Sequence, residues 1–486
     1  MAAGAWPCAN EGESCAMGKE KVGASSPHRP HKGLQNPLPE TRGEHRREML
    51  VPLDLRTYRL TIVNGIIAMA GMRMADEATV LPLLVLRLSG LAWVVGLMQG
   101  LCTLVRTLVQ VFLSRRLDTI EYKLPVYIAS SFVRGFSLLA AAGALMLSEQ
   151  LGMRAVLVIV IAALTMRAAG GALAMLGFMD VTTKAVPTTK RGSLWMWRRL
   201  GGLGIAFAVS APFVRYMMGP RSALQFPANF AVLLAISVAV SAVCWILFSQ
   251  VREAPSRSSS RRLGVMAHLV HGLRLVQRHR EYRRYIRVRL ILGAAACVRP
   301  FFIVFASKAW GLSDEVAGTF LAIQLAAEIV GSVVAGQTSD RIGNRSVIIM
   351  AAVAVVVADA IAWLAALGVW DPFYAAADSS QLLRIVTLGA AFVGGGFFMT
   401  SLGIGSSNYM MDIAPDRQRP SYIAFASGFT LPLALVPIIY GWAADAIGFR
   451  LVFAAGLVLA LAGLAMALKL PEPRDELSEE DLAAHK

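Results

Sequence analysis

Residues 155–178 read AVLVIVIAALTMRAAGGALAMLGF, an unbroken apolar stretch whose one ionisable side chain is Arg167. A helix needs about 20 apolar residues to cross the hydrocarbon core of a bilayer. Eleven further apolar runs of comparable length flank this stretch, and the chain of 486 residues is 56% hydrophobic and only 16% charged. Because soluble proteins carry about 25% charged residues, we predict a chain that lies largely in a membrane.

The twelve apolar runs are numbered here as spans 1 to 12. Backbone N–H and C=O groups cannot stay unpaired in hydrocarbon, so each span must be a helix or a strand of a closed barrel. Barrel strands alternate in polarity and need only about 10 residues. The long continuous runs therefore predict an all-α membrane protein with twelve transmembrane helices. The spans lie near 60–86, 91–113, 124–147, 155–178, 200–218, 226–248, 286–306, 316–335, 346–367, 383–407, 422–440 and 449–469.

The basic residues lie mainly between the spans, and they set the predicted orientation. Alternate loops carry 21 Lys and Arg residues on one side of the membrane and 7 on the other. Loops rich in Lys and Arg stay in the cytoplasm. We therefore predict a multi-pass protein of the inner (plasma) membrane with both termini cytoplasmic. The formal charge of +16 then faces a membrane surface, and no nucleic-acid partner is expected.

Composition divides the chain into five predicted segments. The N-terminal tail is rich in Pro, Gly and charge, which is typical of disorder, and Met49 is an alternative start that leaves residues 1–48 in question. The central linker is basic, with apolar residues at helical spacing, which predicts an amphipathic helix at the membrane interface. The segments are a disordered cytoplasmic tail (1–57), a six-helix bundle (58–248), the basic cytoplasmic linker (249–284), a second six-helix bundle (285–470) and a cytoplasmic C-terminal tail (471–486).

The two halves resemble one another in their loops. Residues 114–117 (SRRL) follow span 2, and residues 339–342 (SDRI) follow span 8 at an offset of 225. Residues 187–191 (PTTKR) follow span 4, and residues 415–419 (PDRQR) follow span 10 at an offset of 228. Two matches at nearly one offset predict two pseudo-symmetric six-helix bundles. Parallel repeats of this kind are a transporter architecture, with the site near the membrane midplane between the halves.

Residues 336–345, GQTSDRIGNR, resemble the loop signature of the major facilitator superfamily, G-x-x-x-D-R-x-G-x-R. In that family the signature joins helices 2 and 3, with a fainter copy between helices 8 and 9. Here the second copy is the sharper one. Asp180, Arg191 and residues 226–229 (FPAN) are similar to a prokaryotic branch with largely unassigned substrates. The resemblance covers nearly the whole membrane part and implies the two-bundle fold and transport by alternating access.

In that family the loop signature latches the outward-facing state. From the residues themselves, Gly343 permits a tight turn, and Asp340 can hold guanidinium groups or a neighbouring helix N-terminus. The alternative is that the basic residues only fix the topology. The latch residues implied by the resemblance are Asp180, Arg191, Gly336, Asp340, Arg341, Gly343, Arg345, Asp412 and Arg419.

Ionisable residues inside the spans are costly in lipid and are candidates for function. Span 1 holds Arg73, Asp76 and Glu77, whose spacing of three and four predicts that they share one helix face. Arg73 can neutralise only one of the two acids. Asp76 or Glu77 is therefore the candidate for proton coupling, because a carboxyl group buried in an apolar bundle binds a proton more readily. The alternative is a static ion pair.

The resemblance implies that spans 1, 4, 7 and 10 line a central cavity. It places Arg167 and Arg299 there with the charges of span 1. Glu328 on span 8 and Asn408 on span 10 complete the predicted substrate and ion pathway, and Arg106 lies on span 2. Arg134 and Asp359 lie on supporting spans 3 and 9, where we expect structural pairing.

These residues predict a secondary active transporter of a small solute, coupled to protons. The cavity arginines outnumber the cavity acids, which favours an anionic or polyhydroxylated substrate. Two alternatives stay open: proton-driven multidrug efflux, although span 5 lacks the sequence element of the family's drug/proton antiporters, and a non-transporting sensor or scaffold. All seven His residues lie in tails or the central loop, so no enzyme activity, metal or cofactor is expected. The expected partners are the substrate, H⁺ and the lipid bilayer, with the protein a monomer.

Overall fold

Long apolar helices account for nearly all of the part of the protein that the structure, a computed structural model, describes. The described residues are 54–117, 120–255, 279–377, 379–413, 426 and 428–472. Within them, ten helices are long and apolar enough to cross a membrane. Span 1, broken into two helices, and span 11, which is shorter, complete the predicted twelve. The prediction of an all-α, twelve-span membrane protein is confirmed.

The first half of the protein holds spans 1 to 6. A short helix, Ser148–Leu151, joins spans 3 and 4. The spans are, in order, Leu55–Met74 with Val80–Ser89, Ala92–Leu117, Leu124–Met146, Met153–Ala185, Thr188–Ile205 continued by a π-helical turn and Ala211–Met218, and Ala228–Ser249.

The second half holds spans 7 to 12. A short helix, Asp371–Ala376, joins spans 9 and 10. The central part of the predicted amphipathic linker helix, 256–278, lies outside the described residues, as do most of both tails. The spans are, in order, Arg280–Ala296 with Pro300–Lys308, Val316–Arg341, Asn344–Leu367, Ser380–Ile413, a 3₁₀ turn Leu431–Ala434 with Val436–Ala446, and Phe449–Ala467.

Span 1 is not the single continuous helix expected from its sequence. Its first helix ends at Met74, and the carboxylate of Asp76 accepts the backbone N–H groups of Ala78 at 2.9 Å and Thr79 at 3.0 Å. An acidic side chain in this position satisfies the free N–H groups at the start of the second helix. The prediction that Arg73, Asp76 and Glu77 share one helix face is therefore wrong, because the last two lie in the break.

Span 7 breaks in the same way at the equivalent place in the second half. Its first helix ends at Ala296, and Pro300 opens the next helix, where its missing N–H costs nothing. Arg299 stands in this break. Spans 1 and 7 thus each place charged residues where the helix is interrupted.

Span 5 begins twelve residues earlier than predicted, at Thr188 instead of residue 200. The predicted loop is helical because Arg198 and Arg199, whose long stems suit an apolar setting, find partners inside the protein. Arg198 donates to the backbone carbonyl of Thr61 and lies 4.4 Å from the ring centroid of Phe178. The consequence is that two arginines assigned to a loop belong to a membrane span.

The halves meet along spans 2 and 11, spans 5 and 8, and spans 1 and 7. We call the face with the described chain ends, near residues 54–58 and 468–472, the terminal face, and the other the opposite face. At the opposite face the guanidinium group of Arg87 binds both carboxylate oxygens of Asp314, at 2.9 and 3.1 Å. Nearby, the backbone N–H of Trp93 donates to Asp445 at 2.8 Å. These contacts hold the two halves together at the opposite face.

A larger residue at Gly441 should open the opposite face. A Cβ atom there would stand 2.6 Å from the carbonyl oxygen of Ala92, so Gly441→Leu should push spans 2 and 11 apart. We expect a longer distance between spin labels placed at Glu149 and Asp371, one on each half. Gly143→Leu is the control, because a Cβ at that position meets no atom within 4 Å. An unchanged distance in Gly441→Leu would contradict the role of this contact.

Candidate functional site

An ion-pair group joins the two halves at the middle of the membrane part. One guanidinium nitrogen of Arg73 lies 2.9 Å from Asp76, and the other lies 2.5 Å from Glu328 of span 8. The second oxygen of Glu328 accepts the side-chain amide of Gln324 at 3.0 Å. Arg73 is therefore held by one acid from each half, and Asp76 serves both as its partner and as a helix cap.

A second group lies within the first half and surrounds Glu77. One guanidinium nitrogen of Arg106, on span 2, lies 2.9 Å from each carboxylate oxygen, and Arg167, on span 4, lies 3.2 Å from one of them. The side chain of Glu77 is 45% exposed and that of Arg106 is 41% exposed, whereas Arg167 is buried. Ions this exposed cannot lie against hydrocarbon without a large cost. They must border a space that water can enter.

Arg199 makes a second mid-depth contact between the halves, one that was not predicted from the sequence. Its guanidinium group donates to the hydroxyl of Ser332 on span 8 at 3.1 Å and to that of Thr400 on span 10 at 2.9 Å. The sequence analysis placed Arg199 in a loop, one residue before the predicted start of span 5. Its position next to an apolar run was the available signal.

Two charged residues that were expected to form structural pairs, Arg134 and Asp359, make no ion pair within the described part of the chain. Both carboxylate oxygens of Asp359 also lack a hydrogen-bond partner there. Arg299, predicted to line the cavity, is likewise in no ion pair among these residues, and its guanidinium group lies beside Gly395 of span 10. A charge on a predicted span therefore does not identify its partner, because pairing requires that the helices be neighbours.

A charged cluster ties spans 3, 4 and 6 together at the terminal face. Asp180 forms ion pairs with Lys123, at 2.7 Å, and with Lys184. Glu253, just after span 6, accepts the backbone N–H groups of Lys123 and Leu124, each at 2.7 Å, and lies 3.1 Å from the ammonium of Lys184. Asp180, predicted as a latch residue, here binds within its own half.

The second half has a cluster of uncharged and acidic side chains that is equivalent to this charged cluster of the first half. Asn344 donates to Asp412 at 2.6 Å and accepts the hydroxyl of Ser339 at 2.6 Å. Asn408 donates to the same hydroxyl at 3.1 Å. Asn408, predicted to line the pathway, therefore lies in this cluster and is not part of either mid-depth ion-pair group.

Glu472 matches Glu253 in position and role. It follows span 12 and accepts the backbone N–H of Arg345 at 3.0 Å, so each half uses a carboxylate after its last span to cap its third. The sequence analysis missed both acids. The guanidinium group of Arg345 donates to the carbonyl of Leu468 at 2.9 Å, which fixes this end of span 12 to the loop signature.

The other predicted latch residues form no hydrogen bond or ion pair between the halves within the described residues. The predicted tight turn at Gly343 is confirmed by its φ of +124°. Asp340 and Arg341 are exposed, and Glu472 provides the helix cap that we considered for Asp340. A Cβ at Gly336 would meet no atom within 4 Å. Arg191 caps the end of span 4 through the carbonyls of Thr183 and Val186, and Arg419 lies outside the described residues.

The two acids in the break of span 1 should differ in their effect on stability. Asp76→Asn removes the charge that holds Arg73 and weakens two backbone hydrogen bonds, each worth about 1.5–3 kcal/mol when made to a charged group. Glu77→Gln leaves Arg106 and the buried Arg167 without an acid, but its side chain accepts no backbone hydrogen bond among the described residues. We expect thermal unfolding of purified protein to shift to lower temperature in both variants, and further in Asp76→Asn. Equal shifts would show that Asp76 is not a structural cap.

Comparisons with known proteins agree with this architecture. A family model described as Major Facilitator Superfamily matches residues 290–485. Comparison with curated protein sequences gives no match.

The chain is similar to several solved transporter structures. A variant of the nucleoside transporter NupG has a TM-score of 0.62 and 14% identity, over 84% of this chain and 99% of that one. A bacterial homologue of the iron transporter ferroportin in an inward-facing state scores 0.59 with 14% identity, over 86% and 99%. A D-xylose-proton symporter scores 0.59 with 16% identity, over 87% and 99%. At these identities the likeness shows a shared fold. The second half of the chain matches the family model, and the described residues have the fold of these transporters, so the chain resembles the major facilitator superfamily.

Proposed function

We propose that the protein is a proton-coupled secondary active transporter that moves a small solute by alternating access. The observation that carries this proposal is the pair of polar contacts at mid-depth between the halves, Arg73 with Glu328 and Arg199 with Ser332 and Thr400. Two bundles that rock against each other must break and remake the contacts between them. A bound solute can take the place of either partner in these polar contacts on the seam.

The conformation favours a site that opens toward the terminal face. The opposite face is joined by Arg87 with Asp314 and by Trp93 with Asp445. Water that reaches Glu77 and Arg106 must therefore enter from the terminal face. The loop charges favour a cytoplasmic position for this face, which supports an inward-facing state in the inner membrane.

The charges of the two mid-depth ion-pair groups, taken together with Arg199, favour an anionic or polyhydroxylated solute. The two groups hold three arginines and three acids, and Arg199 adds a fourth cation that is in no ion pair among the described residues. Glu77 alone serves two guanidinium groups. An anion that binds Arg106 would replace Glu77 as its partner, and the exposure of both side chains makes that exchange possible without unfolding the bundle. The members of the two groups, apart from the added Arg199, are Arg73, Arg106, Arg167, Asp76, Glu77 and Glu328.

The coupling proton needs a different kind of group from the acids of span 1. Asp76 is held by Arg73 and two backbone N–H groups, and Glu77 is held by Arg106 and Arg167. Opposite charges at this distance stabilise the ionised carboxylate. We therefore assign Asp76 to holding the break and Glu77 to competition with the solute.

Ligand screening followed by transport assays tests this function. A solute that binds the folded protein raises its unfolding temperature, so purified protein is screened against organic anions, sugars, nucleosides and lipophilic cations. For an anionic hit, Arg106→Gln should weaken binding at least about tenfold, since a hydrogen bond to a charged group is worth about 1.5–3 kcal/mol. Glu77→Gln should strengthen it, because the competing carboxylate is gone.

Glu149→Gln, in an exposed loop of the opposite face, is the matched control and should bind as the wild type does. Proteoliposomes then measure uptake of the hit with and without a pH gradient. A hit that binds but is never transported would indicate the sensor or scaffold. Stabilisation by lipophilic cations alone would indicate multidrug efflux. Equal binding by Arg106→Gln and wild type would contradict the proposed site.

A further inference from the structure

The second half contains a buried carboxyl group that the proposed solute site does not use. Asp359 lies in the middle of span 9 with 0% exposure, and neither oxygen has a hydrogen-bond partner among the described residues. Its surroundings are apolar: a Cβ at Gly456 of span 12 would stand 3.2 Å from one oxygen and 2.6 Å from the side chain of Val298. An ionised carboxylate without a partner is very costly in such a setting.

Arg299 is the charged residue that interacts with Asp359 electrostatically, and it stands between two sets of acids. On one side it interacts with Asp76 and Glu328. These acids belong to the ion-pair group of Arg73, called here the central group. On the other side Arg299 interacts with Asp359. No ion pair or hydrogen bond joins its guanidinium group to any of them within the described residues. Arg299 stands in the break of span 7, and its buried side chain lies beside Gly395 of span 10.

Two further titratable groups lie near this site. Tyr440 of span 11 interacts electrostatically with Asp359 and with Cys297 of span 7. The hydroxyl of Tyr440 is buried and also lacks a partner among the described residues. Spans 10 and 12 present glycines here, Gly395 and Gly456. The neighbourhood therefore offers Asp359 one cation, the guanidinium group of Arg299, and weakly polar groups otherwise.

We propose that Asp359 is a proton-binding site, neutral in this conformation, and that Arg299 is the switch that discharges it. When the guanidinium group of Arg299 turns to Asp359, an ion pair forms, the O–H bond of the carboxyl group breaks, and the proton passes to water. When Asp359 takes up a proton, the ion pair is lost and Arg299 returns to the central group. Each proton that Asp359 binds or releases is therefore accompanied by one change in the partner of Arg299.

A direction of coupling follows, and this step rests on the proposed function. With Asp359 protonated, Arg299 adds its positive charge to the central group, where it attracts an anionic solute. With Asp359 ionised, that charge is withdrawn. A proton and an anionic solute therefore favour each other's binding, which by linkage is reciprocal, and both would move in the same direction.

Infrared spectroscopy tests the protonation without any substrate. A protonated carboxylic acid has a carbonyl band that ionised carboxylates and amides lack. At neutral pH we expect such a band in the wild type and in the control Asp371→Asn, which changes an exposed acid at the start of the short helix Asp371–Ala376. The band should be missing from Asp359→Asn. The same spectrum from wild type and Asp359→Asn would overturn the proposal.

The switch is tested by the pH at which the band disappears. A cation stabilises the ionised carboxylate, so Arg299→Gln should keep the band to higher pH than the wild type, and Arg299→Lys, which keeps the charge, should lose it near the wild-type pH. If Arg299→Gln loses the band at the wild-type pH, Arg299 is not the partner of Asp359 and the switch is refuted.

Thermal unfolding gives a second reading that does not depend on transport. If Asp359 is neutral, Asp359→Asn replaces one uncharged group by another of the same shape, and the unfolding temperature should stay close to that of the wild type. If Asp359 were an ionised partner of Arg299, removal of its charge would leave a buried cation and lower the unfolding temperature strongly. A strong decrease would contradict the proposal even if the solute assays succeed.

Discussion

Placing an ionised side chain in hydrocarbon costs so much free energy that the way in which each such side chain is accommodated determines the rest of the structure. The protein uses three solutions. Arg73 is paired with acids from both halves, and the pair of Glu77 and Arg106 stays partly exposed. Asp359 has neither a partner nor exposure within the described residues. The first solution places charge on the seam between the halves, the second keeps charge within the first half, and the third is the site that we propose to bind a proton.

Broken helices make these solutions possible. A break frees backbone groups that need new partners, and in span 1 the carboxylate of Asp76 supplies them while it also holds Arg73. In span 7, Pro300 starts a new helix and leaves Arg299 in the interruption. The two breaks occupy equivalent positions in the repeated halves. A charge in a break can move with fewer constraints than one on a continuous helix, which suits residues that exchange partners.

Much of the fold could be predicted from the sequence, because run length, loop charge and the repeat are local or additive properties. The hydrogen-bond and ion-pair partners of the charged side chains could not be predicted, because they depend on which helices are neighbours in the fold. Glu253 caps the start of span 3 from 130 residues away, and nothing in its local sequence indicates this. Arg199 was missed because the apolar run was taken to end where the charges begin. The shared face of Arg73 and Glu77 failed because helical spacing assumes an unbroken helix.

We propose that Glu77 borders a water-filled gap that opens to the terminal face. Reaction of a cysteine at this position with a membrane-impermeant thiol reagent tests it directly, in a Glu77→Cys variant whose five native cysteines are replaced. Val158→Cys, at a 66% exposed apolar position on span 4, should react only with an apolar reagent. Modification of Glu77→Cys by the impermeant reagent from the terminal face and not from the opposite face is the predicted result. Modification by the apolar reagent alone, or by neither reagent, would contradict the claim.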